Sequence, residues 1–251
     1  MMRRAFFCAV LALALACSAF AGFVNGGFES GDFTGWTQGA GWWYGDMSRL
    51  DPVNYLPGGL YYDISANSSA VVGPGLDPLT DNNLNMVYSD NYAARVNNSY
   101  NDYSVSVISQ TVNNYTDPYI YFAWAAVLQA SHGPTDSDNF RLKLTDDTTN
   151  TTLYDVTYNS ANTPPGLFTQ SNSGWFYTQW QVQQLDVSAL SGDTFTLTLL
   201  GSDCPYGGHA GYVYLDGFGA VLPPPGVPEP ATLALMAFGI AGLAAYRLRR
   251  R

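Results

Sequence analysis

The central stretch of the chain, residues 22–226, repeats apolar and polar residues with a period of two, and it contains no sustained helical spacing of apolar residues. The segment NFRLKLTDD places Phe140, Leu142 and Leu144 on one face of an extended strand and its two basic residues on the other. Successive side chains of a strand point to opposite faces, and such alternation is typical of half-solvated antiparallel strands. We therefore predict that this stretch, called the body below, is all-β.

The other apolar segments of the body predict how the strands are arranged. YIYFAWAAVLQA is apolar on both faces, so residues 119–128 are predicted to form a central strand that is covered on both sides. Further strand-like segments, separated by Asn, Gly, Pro and Asp clusters, are YSVSVISQTV, TLYDVTYN, WFYTQWQVQQLDV and GYVYLDGFGAVL. About eight strands with turn signals between them predict a jelly-roll β-sandwich. Residues 39–98, rich in Gly, Pro, Asn and Tyr, are predicted to be an elaborated loop region at its rim.

The body is strongly acidic. It holds four of the ten basic residues and 19 of the 20 acidic residues, so its formal charge is 4 − 19 = −15. Such a field repels phosphate backbones and anionic lipid, so we expect no nucleic-acid partner. Catalytic motifs are sparse, since Lys143 is the only lysine, Glu29 is the only glutamate of the body and no G-x-S-x-G segment occurs. We expect no enzymatic activity, with an extracellular hydrolase as an alternative.

Both ends of the chain are apolar and basic. MMRRAFFCAVLALALACSAFA has early arginines, an apolar centre and a small-residue exit, which predicts a secretory signal peptide over residues 1–21, removed by signal peptidase. The apolar run 231–246 has 16 residues, shorter than the roughly 20 that span a bilayer comfortably, but able to span if its flanks snorkel. The arginines that follow are expected on the cytoplasmic side: Arg247, Arg249, Arg250 and Arg251. A transmembrane intermediate in the inner membrane is predicted, and a plain C-terminal anchor is one interpretation.

The tail as a whole, VPEPATLALMAFGIAGLAAYRLRRR over residues 227–251, resembles the PEP-CTERM sorting signal of exosortase-processed bacterial proteins. Its three parts occur in order: the triplet Pro228, Glu229 and Pro230, the apolar segment and the arginine cluster. The resemblance implies cleavage by an exosortase near the triplet. It also implies a surface or extracellular-matrix location, associated with exopolysaccharide and biofilm. The expected domain order is a signal peptide, a β-sandwich over residues 22–222, a Pro-rich linker over residues 223–226 and the sorting signal.

Two segments at opposite ends of the body, VNGGFESGDFTGW and GYVYLDGFGAV, resemble the first and last strands of galactose-binding-like jelly rolls, a group that includes many carbohydrate-binding modules. The resemblance implies that the two segments lie close together and that a structural calcium ion ties them, with Glu29 and Asp216 as side-chain ligands. Calcium takes about six to eight oxygen ligands, and a Gly-rich turn exposes carbonyls readily. The alternative is that both carboxylates are merely solvated residues at strand edges.

A broader resemblance over residues 81–222 is to bacterial surface and exosortase-dependent proteins, whose shared segments include SVISQTV and DCPYGGHAGYVYLD. Such relatives offer a second cysteine to pair with the one in DC, but Cys204 is the only cysteine of the body. It is interpreted as a buried inert thiol or, alternatively, as one half of a bridge between two chains. His132 and His209, the only histidines, are predicted to hydrogen-bond loop carbonyls. Zinc is disfavoured, because the sequence offers neither a third histidine nor a second cysteine.

Aromatic residues are concentrated in residues 36–62. Their planar faces suit sugar rings, although aromatic side chains also fill sandwich cores. Trp42, Trp43 and Tyr44 are consecutive, so in a strand at least one of them must face solvent or a groove. These three are the candidate glycan-binding residues. The leading hypothesis is a non-enzymatic surface or matrix protein, and the first alternative is a carbohydrate-binding module that uses residues 36–62.

Overall fold

The computed structural model of the chain describes residues 22–45, 49–129, 132–162 and 164–221, together with Pro224. The predicted signal peptide, most of the predicted linker and the whole sorting tail, including the run 231–246, lie outside the described residues. Within the described part, no helix is long and apolar enough to cross a membrane. The helices there are single-turn 3-10 helices at Pro52–Asn54, Ile64–Ala66, Pro78–Thr80 and Ser188–Leu190.

Strands dominate the described residues and form two antiparallel sheets. The strands are β1 (Thr37–Trp42), β2 (Ala70–Val72), β3 (Ala93–Val96), β4 (Ser104–Val112), β5 (Tyr119–Gln129), β6 (Asn139–Asp146), β7 (Thr151–Asn159), β8 (Thr169–Gln170), β9 (Trp175–Tyr177), β10 (Gln181–Asp186), β11 (Phe195–Ser202) and β12 (Gly211–Gly219). The first sheet has the order β1-β4-β11-β6-β7, and the second has the order β2-β3-β12-β5-β9-β8, with β10 also paired to β5. The predicted all-β jelly-roll sandwich is confirmed, with more strands than the sequence indicated because several are only two or three residues long.

The main core lies between the two sheets, where period-two alternation turns one face of each strand inward. Trp124 on β5 packs against Phe140 on β6, with ring centroids 4.9 Å apart. The outward residues of β5, Ala125 and Val127, are buried as well, in a second cluster on the outer face of the second sheet. The prediction that this strand is central and covered on both sides is therefore confirmed.

The cover on that outer face comes from residues 73–92, part of the region predicted as a rim loop. Leu84 is fully buried there, and the buried carboxylate of Asp77 accepts hydrogen bonds from the hydroxyls of Tyr212 (2.6 Å) and Tyr214 (2.8 Å). Asp77 also accepts from the backbone N–H of Leu79, which caps the 3-10 helix Pro78–Thr80. Residues 73–92 are thus a covering layer held by a helix cap and buried hydrogen bonds, and this part of the outer sheet face is closed to a ligand.

The first and last segments of the body lie together. The carbonyl of Gly26 accepts a hydrogen bond from the N–H of Phe218 on β12, and Trp36 stacks on Phe28 with ring centroids 5.1 Å apart. Residues 22–36 form a series of turns instead of the first strand that the resemblance implied, because Asn25 and Phe28 both take the left-handed backbone conformation. The expected proximity of the two segments is nevertheless found.

Candidate functional site

Four connecting segments meet at one end of the sandwich, which we call the loop end. They are residues 43–45 after β1, residues 97–103 before β4, residues 132–138 before β6 and residues 203–210 before β12. Contacts between aromatic rings and hydrogen bonds join each segment to a neighbour. The loop end therefore combines residues from four distant parts of the sequence.

Three tyrosines, Tyr44, Tyr103 and Tyr206, form an aromatic surface at the loop end that we call the tyrosine rim. Tyr44 is 67% exposed and Tyr206 is 63% exposed. The ring centroids of Tyr44 and Tyr103 are 4.9 Å apart. The Tyr103 ring lies against the backbone of Gly207, whose φ of +67° and lack of a Cβ permit this close approach. The rim thus presents aromatic rings to solvent at fixed relative positions.

Tyr103 is held in a conformation that a bulky residue rarely adopts, with a φ of 67°. The backbone N–H groups of the two residues that flank Tyr103, Asp102 (3.0 Å) and Ser104 (3.1 Å), donate hydrogen bonds to the carboxylate of Asp203. Strained backbone of this kind costs about 1–3 kcal/mol and persists only where the surroundings enforce it. Asp203 supplies that enforcement and so fixes the direction of the Tyr103 ring.

Asp203 is the centre of a buried polar network beneath the rim. Its other carboxylate oxygen accepts from the side-chain amide of Asn97 (2.9 Å), and its carbonyl accepts from the indole N–H of Trp43 (2.8 Å). Burial raises the pKa of Asp203 to about 8, and the neighbouring Asp102 carboxyl adds to the shift. A buried network with so many satisfied partners is rigid, so the rim stands on a preorganised base.

The three consecutive aromatic residues predicted to bind glycan have three different environments. Trp43 is only 1% exposed and packs with Leu50 and Tyr55, so it is a core residue with no ring face available to a sugar. Trp42 is half-buried on β1, and Tyr44 alone belongs to the rim. For Trp43 the candidate role is thus corrected, because its side chain, just after the end of β1, packs into this separate buried cluster. Sequence reasoning did not identify the other two rim residues, which lie far from Tyr44 along the chain.

The two predicted calcium ligands are brought together across Gly27. Glu29 accepts hydrogen bonds from the backbone N–H groups of Asn91 and Tyr92, both at 3.0 Å. Asp216 is buried and accepts from the backbone of residues 88–89 and of Gly217. Burial raises the pKa of Asp216 to about 7, and the negative charge of Glu29 contributes to the shift. Both carboxylates anchor the 88–92 loop through N–H donors, and calcium binding by the pair stays a prediction.

The two histidines come together around Cys204, which corrects the prediction that they hydrogen-bond loop carbonyls. The Cys204 Sγ lies 3.8 Å from the His132 Nε2 and 3.6 Å from the His209 Nδ1. Burial lowers the pKa of His209, and His132 adds to the effect. The sulfur is fully buried, so in the folded chain it is not accessible for the predicted alternative of a bridge to a second chain. Tyr206 packs edge-on against His132, so this cluster adjoins the rim.

Comparison with known proteins identifies the tail. Residues 226–251 match the family described as the PEP-CTERM protein-sorting motif, which indicates export to the cell surface or the extracellular space. The sorting residues predicted from the sequence, Pro228, Glu229 and Pro230 with the arginine cluster, fall inside this match but outside the described residues. No curated protein matches the sequence.

Several solved structures resemble the fold at low identity. TmCBM61 in complex with β-1,4-galactotriose is 13% identical, with a TM-score of 0.39, covering 78% of this chain and 94% of that chain. CBM27-1 of Caldicellulosiruptor saccharolyticus in complex with mannohexaose is 13% identical, with a TM-score of 0.35, covering 62% and 84%. The K2 cleaved adhesin domain of Lys-gingipain is 12% identical, with a TM-score of 0.34, covering 74% and 87%. Structural similarity at such low TM-scores does not indicate whether this chain has a binding site or where it lies.

Proposed function

We propose that this exported protein is a non-enzymatic polysaccharide-binding protein that uses the tyrosine rim. The observation that carries the proposal is the tyrosine rim, in which Tyr44 and Tyr206 are exposed and the half-buried Tyr103 is held by the buried network around Asp203. Contact between an aromatic ring and water is unfavourable, and a partner that covers the ring removes this cost. A cluster of exposed aromatic rings on rigid backbone therefore favours a binding role. The sequence suggests either a surface or matrix protein or a carbohydrate-binding module, and the rim supports carbohydrate binding. The proposed binding site lies at the loop end instead of in residues 36–62.

The chemistry of the loop end suits a sugar chain. Pyranose rings present a flat apolar face that packs on an aromatic ring, while their hydroxyls need hydrogen-bonding partners at the edge. The residues that lead to Tyr103 supply such partners, since Ser99, Asn101 and Asp102 are all exposed. Because hydrogen bonds to Asp203 already hold the Tyr103 backbone in one conformation, little ordering entropy is lost when a ligand binds.

The charge of the body selects the class of polysaccharide. With 4 − 19 = −15 formal charges, the body repels uronic acid and sulfate groups at physiological ionic strength. A neutral glycan meets no such barrier. The proposed ligand is therefore a neutral extracellular polysaccharide, of the kind that the host assembles into an exopolysaccharide or biofilm matrix.

The tail gives the setting for this binding. In the proposal, signal peptidase removes residues 1–21, the run 231–246 holds the chain in the inner membrane, and an exosortase cuts near Pro228-Glu229-Pro230. The released or attached body then meets the glycan outside the cell. The polysaccharide is thus a partner of the body, and the processing enzymes are partners of the two ends.

The test is the affinity of the exported protein, purified from its host, for the neutral fraction of that host's exopolysaccharide. Tyr44→Ala and Tyr206→Ala should each lower affinity by about tenfold, since covering one ring face removes about 60 Å² of apolar surface, worth about 1.5 kcal/mol. The matched control is Tyr92→Ala, which removes a 37% exposed tyrosine at the opposite end of β3. Equal affinities in all four proteins, or no saturable binding to any neutral glycan, would overturn the proposal.

A further inference from the structure

We propose that His132, Cys204 and His209 form a binding site for one thiophilic transition-metal ion of the zinc type. Their ligand atoms, one sulfur and two imidazole nitrogens, all lie within 4.8 Å of one another. They come from the segments before β6 and before β12, which lie side by side at the loop end. The site goes beyond the proposed glycan function and does not depend on it.

The two sulfur–nitrogen separations match those of a tetrahedral metal site. With metal–sulfur and metal–nitrogen bonds of about 2.3 Å and 2.05 Å, a tetrahedral angle separates the sulfur from each nitrogen by about 3.6 Å. The observed separations from the Cys204 Sγ are 3.6 Å to the His209 Nδ1 and 3.8 Å to the His132 Nε2. The two nitrogens lie within 4.8 Å of each other, against about 3.3 Å in a tetrahedral site, so the exposed His132 ring would turn toward the His209 ring when one ion binds all three atoms.

The surroundings of the sulfur suit a thiolate ligand. The backbone N–H of Gly208 donates a hydrogen bond to the Cys204 Sγ at 3.3 Å. Such outer-shell donors orient ligands and stabilise the charge on a ligating sulfur. The segment itself is folded tightly, because the Cys204 N–H donates to the His209 carbonyl (3.0 Å) and the Gly207 N–H donates to the Cys204 carbonyl (3.2 Å). Two of the three ligands are thus positioned by their own backbone before any ion binds.

The ligand set determines the class of ion and leaves one position open. One thiolate and two imidazoles are soft and borderline ligands that select zinc, copper or cobalt over calcium and magnesium. Three protein ligands leave the fourth tetrahedral position for water or an added ligand, as in open zinc sites. His132 is exposed, so this position is reached from solvent beside Tyr206. A bound ion would also tie together the two segments that carry this part of the rim.

The test is Zn²⁺ binding to the exported protein, stripped with a chelator and titrated in competition with a chromophoric chelator. We expect one Zn²⁺ per chain, not displaced by excess Ca²⁺. Loss of even an outer-shell partner weakens metal sites by about 10–100-fold, so Cys204→Ser and His209→Gln should each weaken Zn²⁺ binding by at least about 100-fold. His132→Gln changes an exposed side chain, so it should keep the fold and weaken binding by at least about tenfold. Asp136→Asn, on the same segment as His132, is the matched control and should bind as tightly as the natural chain.

Cobalt provides a readout of the ligands themselves. Co²⁺ added to the stripped protein should give the visible bands of tetrahedral coordination and a sulfur-to-cobalt charge-transfer band that disappears in Cys204→Ser. Zn²⁺ binding that is equally tight in His132→Gln and in the natural chain would overturn the site. The same holds if no stoichiometric binding occurs in the natural chain. In either case the cluster would be a set of thiol–imidazole hydrogen bonds.

Discussion

Trp43 and Tyr44 are neighbours in sequence, and we expect opposite consequences when each is changed. Trp43 is 1% exposed and its indole N–H donates to the Asp203 carbonyl at 2.8 Å in a buried setting. Removing a buried tryptophan side chain costs about 3–5 kcal/mol, and leaving a buried carbonyl unpaired adds about 1 kcal/mol or more. The destabilisation by Trp43→Ala should therefore be about 4–6 kcal/mol, which equals the whole unfolding free energy of a domain at the lower end of the usual range of about 5–15 kcal/mol. Trp43→Phe, which retains a ring in the cavity, should cost about 2 kcal/mol.

The assay is thermal unfolding of the exported protein, followed by glycan affinity measured on the folded fraction. For a domain of this size, 2 kcal/mol lowers the midpoint by about 4–8 °C. Trp43→Phe should show that shift and a smaller loss of affinity than Tyr44→Ala, because it removes one hydrogen bond beneath the rim and no ring from the rim itself. Tyr44→Ala should change the unfolding free energy by less than about 0.5 kcal/mol, because its side chain is mostly exposed, and should lower affinity. If Trp43→Phe lost affinity without losing stability, the assignment of Trp43 to the core and Tyr44 to the rim would be refuted.

Three further predictions concern other parts of the chain. Adding Ca²⁺ should raise the unfolding midpoint over that in EDTA, and Glu29→Gln should abolish the difference; equal midpoints in both buffers would leave Glu29 and Asp216 as hydrogen-bonding anchors only. The hydrogen bond from Arg141 lowers the pKa of Asp155, and the pair contributes about 0.5 kcal/mol at its partly exposed site. This contribution is present above pH 3.8 and is lost as the pH falls further. Between pH 5 and pH 2, Asp155→Asn should therefore lose less stability than the natural chain. Replacing residues 228–230 by Ala should leave the tail uncut in the membrane fraction, and normal processing of that variant on an immunoblot would contradict the exosortase assignment.

Local periodicity was enough to predict the strands that form the core. The packing of Trp124 on Phe140 confirms the inward faces of β5 and β6, and the burial of Ala125 and Val127 confirms that β5 is covered on its other side as well. The region 39–98 was harder to predict, because its structure depends on Asx caps and three single-turn helices and not on any apolar repeat. Capping residues such as Asp51, Asp63 and Asp77 were the available signal.

The loop end could not be predicted from the sequence, because topology creates it. Strand β11 lies between β4 and β6, and β12 lies between β3 and β5, so the segments that join these strands converge although they are distant along the chain. No local pattern links Tyr44 to Tyr103, or His132 to Cys204. The sequence disfavours zinc because it offers neither a third histidine nor a second cysteine, whereas three protein ligands and a solvent position also make a site.

The most direct test of the central claim is a map of glycan contacts by NMR on exported protein with isotope-labelled tyrosine rings. The chain has 18 tyrosines, and they include rings in the rim, in the core and on the covered outer sheet face. Titration with neutral oligosaccharides from the host's exopolysaccharide should shift the ring signals of Tyr44, Tyr103 and Tyr206. The signals of the covered Tyr212 and Tyr214 should stay in place. Shifts confined to tyrosines outside the rim, or no shifts at saturating oligosaccharide, would contradict the account.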